Sequence, residues 1–171
     1  MAGKTDIFDL GRLQLSSGQG RRVDLLVELD GFEFGGQRYA PETRLAESVL
    51  NAARTTAGYS LRLRFEARLE GPCMRCLEDA HTRLSVDASE IDQPGGGDDL
   101  SSPYVDGDDL DVRAWARDAL ALALPTQIVC REECRGLCAI CGANLNEADP
   151  DHVHERAPDP RFAKLSELRF E

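Results

Sequence analysis

The amino-acid sequence predicts an α+β, β-rich fold, in which antiparallel β-hairpins pack with one helix and lead into a C-terminal cysteine-rich segment of the zinc-knuckle kind. Three observations predict it. Residues 60–69 alternate Leu61, Leu63, Phe65, Ala67 and Leu69 with Arg62, Arg64, Glu66 and Arg68, the period of two that marks a half-buried strand. Between Asp111 and Leu124, the residues Trp115, Ala119 and Leu122 share a helical face, and Pro125 stops the run. All six cysteines fall into two short stretches, Cys73-x2-Cys76 and Cys130-x3-Cys134-x3-Cys138-x2-Cys141.

Taken in order, Val23–Leu29 is rich in branched residues and too short for a typical helix, which favours a strand. Gly31, Gly35 and Gly36 then mark a turn-rich connection. Residues 40–57 carry both a helical face (Leu45, Val49, Ala52, Ala53) and a hairpin-like exit at Ala57-Gly58, and the strand reading is preferred. Residues 60–69 and 77–91 pair as a hairpin, which places Cys73 and Cys76 at its tip. Residues 92–109 are Gly, Pro, Ser and Asp with few apolar anchors, the composition of a flexible loop. Asp111 suits the N-cap of the helix that follows. Phe162, Leu165 and Leu168 recur at helical spacing and predict a short closing helix. The chain thus divides into a β-rich body (1–125), with an acidic flexible loop at about 92–110 and a helix at about 111–124, and a cysteine-rich metal-binding tail (126–171).

At 171 residues the chain can bury about 70% of its unfolded surface, so it needs no staple merely to fold. No stretch reaches the roughly 18 apolar residues of a bilayer-spanning helix, and the first residues, MAGKTDIFDLGRL, lack the apolar run of a secretory signal. The expectation is a cytoplasmic protein without a membrane partner. The net charge of −11 is uneven: from Asp87 to Asp111 there are nine acids and no Lys or Arg, so the rest is close to neutral. Such a body can still carry a local basic face, and net charge does not decide the partner.

In a reducing compartment the cysteine spacing reads as metal ligation before disulfides. A two-residue gap turns both thiolates toward one ion, and Gly142 directly after Cys141 permits the positive φ of a tight knuckle. Unpartnered buried thiols, a redox CxxC and an iron–sulfur site remain as alternatives, with zinc, one or two ions, preferred. His152 and His154 raise the count of candidate donors to eight. Two divisions are open. Cys130, Cys134, Cys138 and Cys141 can form one compact site, leaving Cys73 and Cys76 idle. The preferred division joins Cys73 and Cys76 to Cys130 and Cys134, and Cys138 and Cys141 to His152 and His154. It uses every cysteine and closes a long loop, where a cross-link removes most unfolded-state entropy. His81 is read as a surface residue.

The segments GPCMRCLE, the helix ending LALP, CREECRGLC with CGANLN, and DPRFAKLSEL occur in the order found in the bacterial and plastid family of large ribosomal RNA subunit accumulation proteins, the YceD-like domain, which the chain resembles from about Phe8 to Phe170. Members often carry a cysteine pair after the CGANLN segment; here that place reads DHVH, which substitutes imidazoles for thiolates. The resemblance implies a role in accumulation of large-subunit ribosomal RNA and establishes no reaction.

Three functions follow as expectations. The first is a non-enzymatic zinc protein that binds precursor ribosomal RNA or a large-subunit ribosomal protein. Its RNA contacts would come from Arg62, Arg64 and Arg68 on one strand face and from Arg75, with Arg54 and Arg83 nearby. Aromatic residues make up 6% of the chain and no RNA-recognition signature occurs, so base-specific readout is not expected. In the second, the acidic segment 87–111 grips a basic ribosomal protein. The third, a metal-dependent or thiol-redox enzyme, has the least support: no motif sets a general base beside the cysteines, and no small-molecule substrate is indicated.

Overall fold

The computed structural model describes residues 5–97 and 100–154. The expected closing helix, with Phe162, Leu165 and Leu168, lies outside them. The main sheet is antiparallel and built from β2 (Gly20–Glu28), β5 (Leu45–Arg54), β6 (Tyr59–Pro72) and β7 (Asp79–Asp92), neighbours in that order. A short hairpin of β3 (Phe32–Phe34) and β4 (Gln37–Pro41) continues the β5 side of β6, with Ala40 opposite Glu70 and Pro41 opposite Leu69.

The alternation of β6 is the organising element. Leu61, Leu63, Phe65, Ala67 and Leu69 are buried while Arg62, Arg64, Glu66 and Arg68 are exposed. Burying each of the leucines and Phe65 contributes about 1.5–3 kcal/mol. Ala46, Ser48, Leu50 and Ala52 of β5 are buried in the same alternation, so the period of two prevails over the helical reading of residues 40–57. Tertiary pairing decides there, because both neighbours of β5 are strands. The β5–β6 turn needs Gly58, since any side chain there would run into the Asp92 carbonyl.

The helix α1 (Val112–Leu122) starts where Asp111 caps it, the carboxylate accepting the Ala114 N–H at 2.8 Å. Trp115, Ala116, Ala119 and Leu120 are buried in the main core. The helix touches both β2 and β7, at opposite sides of the sheet, so the sheet curls around it. Arg113 ties its first turn to Asp30, with N–O distances of 2.7 and 3.2 Å.

The acidic segment departs from the expected bare loop. It carries β8 (Val105–Asp106) and β9 (Asp109–Asp111), which join β1 (Ile7–Asp9) in a three-stranded sheet ordered β1-β9-β8. Several of its acids are structural. Asp92 is buried and accepts the Ser102 N–H, and Asp108 accepts the Tyr59 hydroxyl at 2.8 Å. Leu110 is fully buried and Tyr104 stacks on Trp115. Two apolar anchors and a strand partner about a hundred residues upstream hold what composition alone reads as loose. No helix among the described residues is long and apolar enough to cross a membrane.

Candidate metal centres

The tip of the β6–β7 hairpin is a tight knuckle. The Cys73 N–H donates to the Glu78 carbonyl at 2.7 Å and the Leu77 N–H to the Cys73 carbonyl at 3.0 Å. Leu77 adopts a left-handed φ of 66° to close it. The chain leaving α1 returns to this tip, where the Met74 N–H donates to the Ile128 carbonyl at 2.9 Å. Cys130 and Cys134 thereby come to face Cys73 and Cys76. Tyr39, Ala80 and Ile128 pack around these thiols as a second apolar core.

The four sulfurs lie within 4.8 Å of one another. Cys73 Sγ is 3.8 Å from Cys134 Sγ, and Cys76 Sγ is 3.6 Å from Cys130 Sγ. A disulfide would need about 2.05 Å. A zinc tetrahedron with bonds of about 2.3 Å has edges of about 3.8 Å, which these separations match. Backbone and side-chain donors surround the sulfurs as well: the Arg75 N–H lies 3.4 Å from Cys73 Sγ, and Asn146 Nδ2 lies 3.5 Å from Cys134 Sγ.

Ionisation of the quartet is split. At Cys73 burial opposes charge, but backbone N–H groups of Cys76, Cys130 and Arg75 prevail and lower the thiol to about 6. At Cys76 a backbone contact at Glu78 favours the thiolate, yet burial and the sulfurs of Cys134, Cys73 and Cys130 hold it up at about 12. Asn146 helps to lower Cys134, whereas burial raises Cys130. Four sulfurs this close cannot all ionise without a cation among them. The donor set therefore fits a soft divalent metal.

A second quartet gathers Cys138, Cys141, His152 and His154, again within 4.8 Å. Cys141 Sγ is 3.4 Å from His152 Nε2 and 3.2 Å from His154 Nε2, and the two Nε2 atoms are 3.1 Å apart. Three acceptor-capable atoms converging on one point is the geometry a cation resolves. Gly142, in a positive φ of 73°, closes the knuckle, and its N–H donates to the Cys138 carbonyl at 2.9 Å. Backbone N–H groups of Cys141 and Ile140, then His152, lower Cys138 to about 6. The donors thus stand in two groups of four, and either group could bind a metal ion.

The arginines meet different fates. Arg62, Arg64 and Arg68 do share the exposed face of β6, and Arg83 stands directly opposite Arg68 on β7. Neighbouring strands answer them with acids. Arg62 makes two 2.6 Å bonds to Asp87, Arg68 lies 3.9 Å from Glu42, and Arg83 lies 3.7 Å from Glu66. Arg54 stacks over the Tyr59 ring. Arg75 belongs to the first cysteine quartet: its guanidinium donates to Gln127 Oε1 and to the Glu132 and Cys134 carbonyls, at 3.0, 3.4 and 3.1 Å. It clamps the two cysteine segments together. His81 is exposed, 3.3 Å from Glu42.

Sequence reasoning missed this role of Arg75 and two supports of the second segment. Asn146 bonds Cys134 Sγ and also accepts the Arg135 N–H at 2.8 Å. Gly136, with a φ of 75°, lets the two segments approach, since a Cβ there would stand 3.1 Å from the Arg75 carbonyl. The signal available was the GANLN stretch beside the knuckle, whose asparagines suit sulfur and turn bonding.

A family model for the large ribosomal RNA subunit accumulation protein YceD matches residues 61–169, from β6 through both quartets. An uncharacterized protein of Mycobacterium tuberculosis is 36% identical over 106 residues, 57% of this chain and 49% of that protein. One of Mycobacterium leprae is 33% identical over 103 residues, 56% and 46% respectively. The matched region thus spans about half the length of these curated relatives. No solved structure matches the chain. On the extent of the family match, which takes in the β6–β7 hairpin and every candidate metal ligand, the chain belongs to the YceD family, named for large ribosomal RNA subunit accumulation.

Proposed function

We propose that the protein is a non-enzymatic, zinc-binding cytoplasmic factor that supports accumulation of large-subunit ribosomal RNA by binding precursor ribosomal RNA or a large-subunit ribosomal protein during assembly. The observation that carries this reading is the closure of both quartets. Each offers four protein donors, enough to complete a tetrahedron and leave no open position for substrate or an activated water. Metal in such a centre holds surfaces in place. In the first quartet Cys73, Cys76, Cys130 and Cys134 would hold such an ion between the hairpin tip and the segment leaving α1, which would fix the shape that a partner meets.

The test is depletion of the protein in its own cells, followed by measurement of the ratio of large- to small-subunit ribosomal RNA and of the partners crosslinked to a tagged copy. The reading expects a reduced ratio, restored by the wild-type chain, with ribosomal RNA or a ribosomal protein among the crosslinked partners. An unchanged ratio would sink it.

A further inference from the structure

The strand β7 is an open edge. Among the described residues it pairs only with β6, so alternate backbone N–H and C=O groups along its outer side point away from the sheet. Natural edges are commonly blunted by charged side chains, lysine above all, by proline or by a bulge. From Leu84 to Asp92 (LSVDASEID) there is no lysine, arginine or proline, and the register with β6 runs unbroken from Pro72↔Asp79 to Tyr59↔Asp92.

Residues 85–90 of this edge form one wall of a groove of about 440 Å³, and Tyr104, Trp115, Ala119 and Leu122 contribute the other. Leu122 is 89% exposed at its rim. The unpaired backbone edge of these six residues, about 20 Å long, matches a short added strand, with an apolar lining for every second side chain. The charged residues of the lining are Glu90 and Asp87, the latter paired with Arg62 of β6. In the segment that follows, Asp92, Asp108 and Asp111 bond Ser102, Tyr59 and the start of α1, while Asp106 and Asp109 are exposed.

We propose that β7 accepts an extended, lysine- or arginine-rich segment of a partner protein as an additional strand, with apolar side chains of that segment seated between β7 and α1. This rests on the reading above that the chain holds an assembly partner, and names the partner's chemistry. Main-chain bonds to the open edge supply binding, and the acidic surroundings select a basic segment and repel phosphate. An RNA strand is disfavoured at the same place for that reason.

The probe is a twelve-residue peptide alternating lysine and valine, added to the full-length, metal-loaded protein. Its binding is followed by fluorescence anisotropy and by amide hydrogen exchange. The expected result is slower exchange at residues 85–90 and at least tenfold weaker binding of the same peptide with alternate residues N-methylated, which keeps its charge but cannot add as a strand. Leu122→Lys combined with Glu90→Lys should weaken the unmodified peptide at least tenfold, with circular dichroism confirming an intact fold. Equal binding of the two peptides, no protection of residues 85–90, or protection of those amides by a uridine dodecamer instead would each overturn the proposal. None of these outcomes alters the ribosomal RNA ratio after depletion, so the broader reading stands or falls separately.

Discussion

The two candidate metal quartets use the same CxxC device in opposite surroundings. In the first, Cys73, Cys76 and Cys134 are buried, and the donors come from segments more than fifty residues apart. In the second, Cys141 and His154 are exposed, and all four donors lie within residues 138–154. The same chemistry therefore has different consequences. A metal in the first quartet links the β6–β7 hairpin to the chain beyond α1 and closes a long loop, whereas one in the second shapes only a local turn. The first is part of the core; the second is a surface knuckle.

The largest expected effect comes from breaking the buried quartet. Cys134→Ser should abolish one equivalent of metal, measured by elemental analysis of protein purified without a metal-affinity tag. Structural zinc can contribute on the order of 10 kcal/mol to a small folding unit, so the segment 128–137 should lose its protection against amide exchange. The β6 core should keep its own. Retention of a full two equivalents would show that Cys134 is not a required ligand, and a wild-type chain carrying one equivalent or none would dissolve the contrast.

Next comes the exposed quartet. His152→Ala with His154→Ala should remove the other equivalent while leaving thermal unfolding of the sheet nearly unchanged, because nothing in the main core depends on those rings. In the wild-type chain a chelator should strip the exposed quartet before the buried one, giving two phases of metal release. A single phase carrying both equivalents would show that burial does not separate the sites.

Arg75→Ala tests the clamp between the two cysteine segments and should act on the buried quartet alone. The loss of three hydrogen bonds from a charged donor, partly solvent-exposed, should cost about 1–3 kcal/mol. The expected readout is faster chelator release from the buried quartet with the exposed one unmoved. If both phases accelerate together, the clamp holds the whole tail and not one site.

What the sequence made legible follows the range of the interactions. The β6 alternation and the cap at Asp111 are local, and both stand in the structure where the pattern puts them. The four-and-four grouping of donors could be reasoned from spacing because ligand chemistry is demanding. Arg75 could not be read, because its role depends on carbonyls of Glu132 and Cys134 that only the fold brings near. The arginine stripe was visible on β6, but the acids opposing it stand on other segments: Asp87 on β7, and Glu42 just beyond β4. Likewise β1 pairs with β9 across about a hundred residues, and nothing in IFD or DLD announces a partner.

The smallest expected effect concerns a link of α1 that needs no metal and so serves as the reference for the other two. Arg113 beside Asp30 holds that carboxyl below its ordinary value through direct hydrogen bonds, burial partly opposing, with further attraction from Arg113, Arg117 and Arg44. Because the folded pKa is depressed, the stabilisation is complete above the unfolded carboxylate value of about 3.9 and is lost as pH falls through the lower folded value. Both side chains are 36% exposed, so solvent screening limits the contribution to about 1 kcal/mol or less. Asp30→Asn should therefore lower stability at pH 7 by that amount, narrow the gap to wild type below pH 4, and leave both metal equivalents in place. Denaturant unfolding at pH 7 and pH 3, with metal content measured at pH 7, checks this. Loss of metal in Asp30→Asn would mean that the start of α1 is coupled to the buried quartet at its far end, and that the helix transmits strain between them.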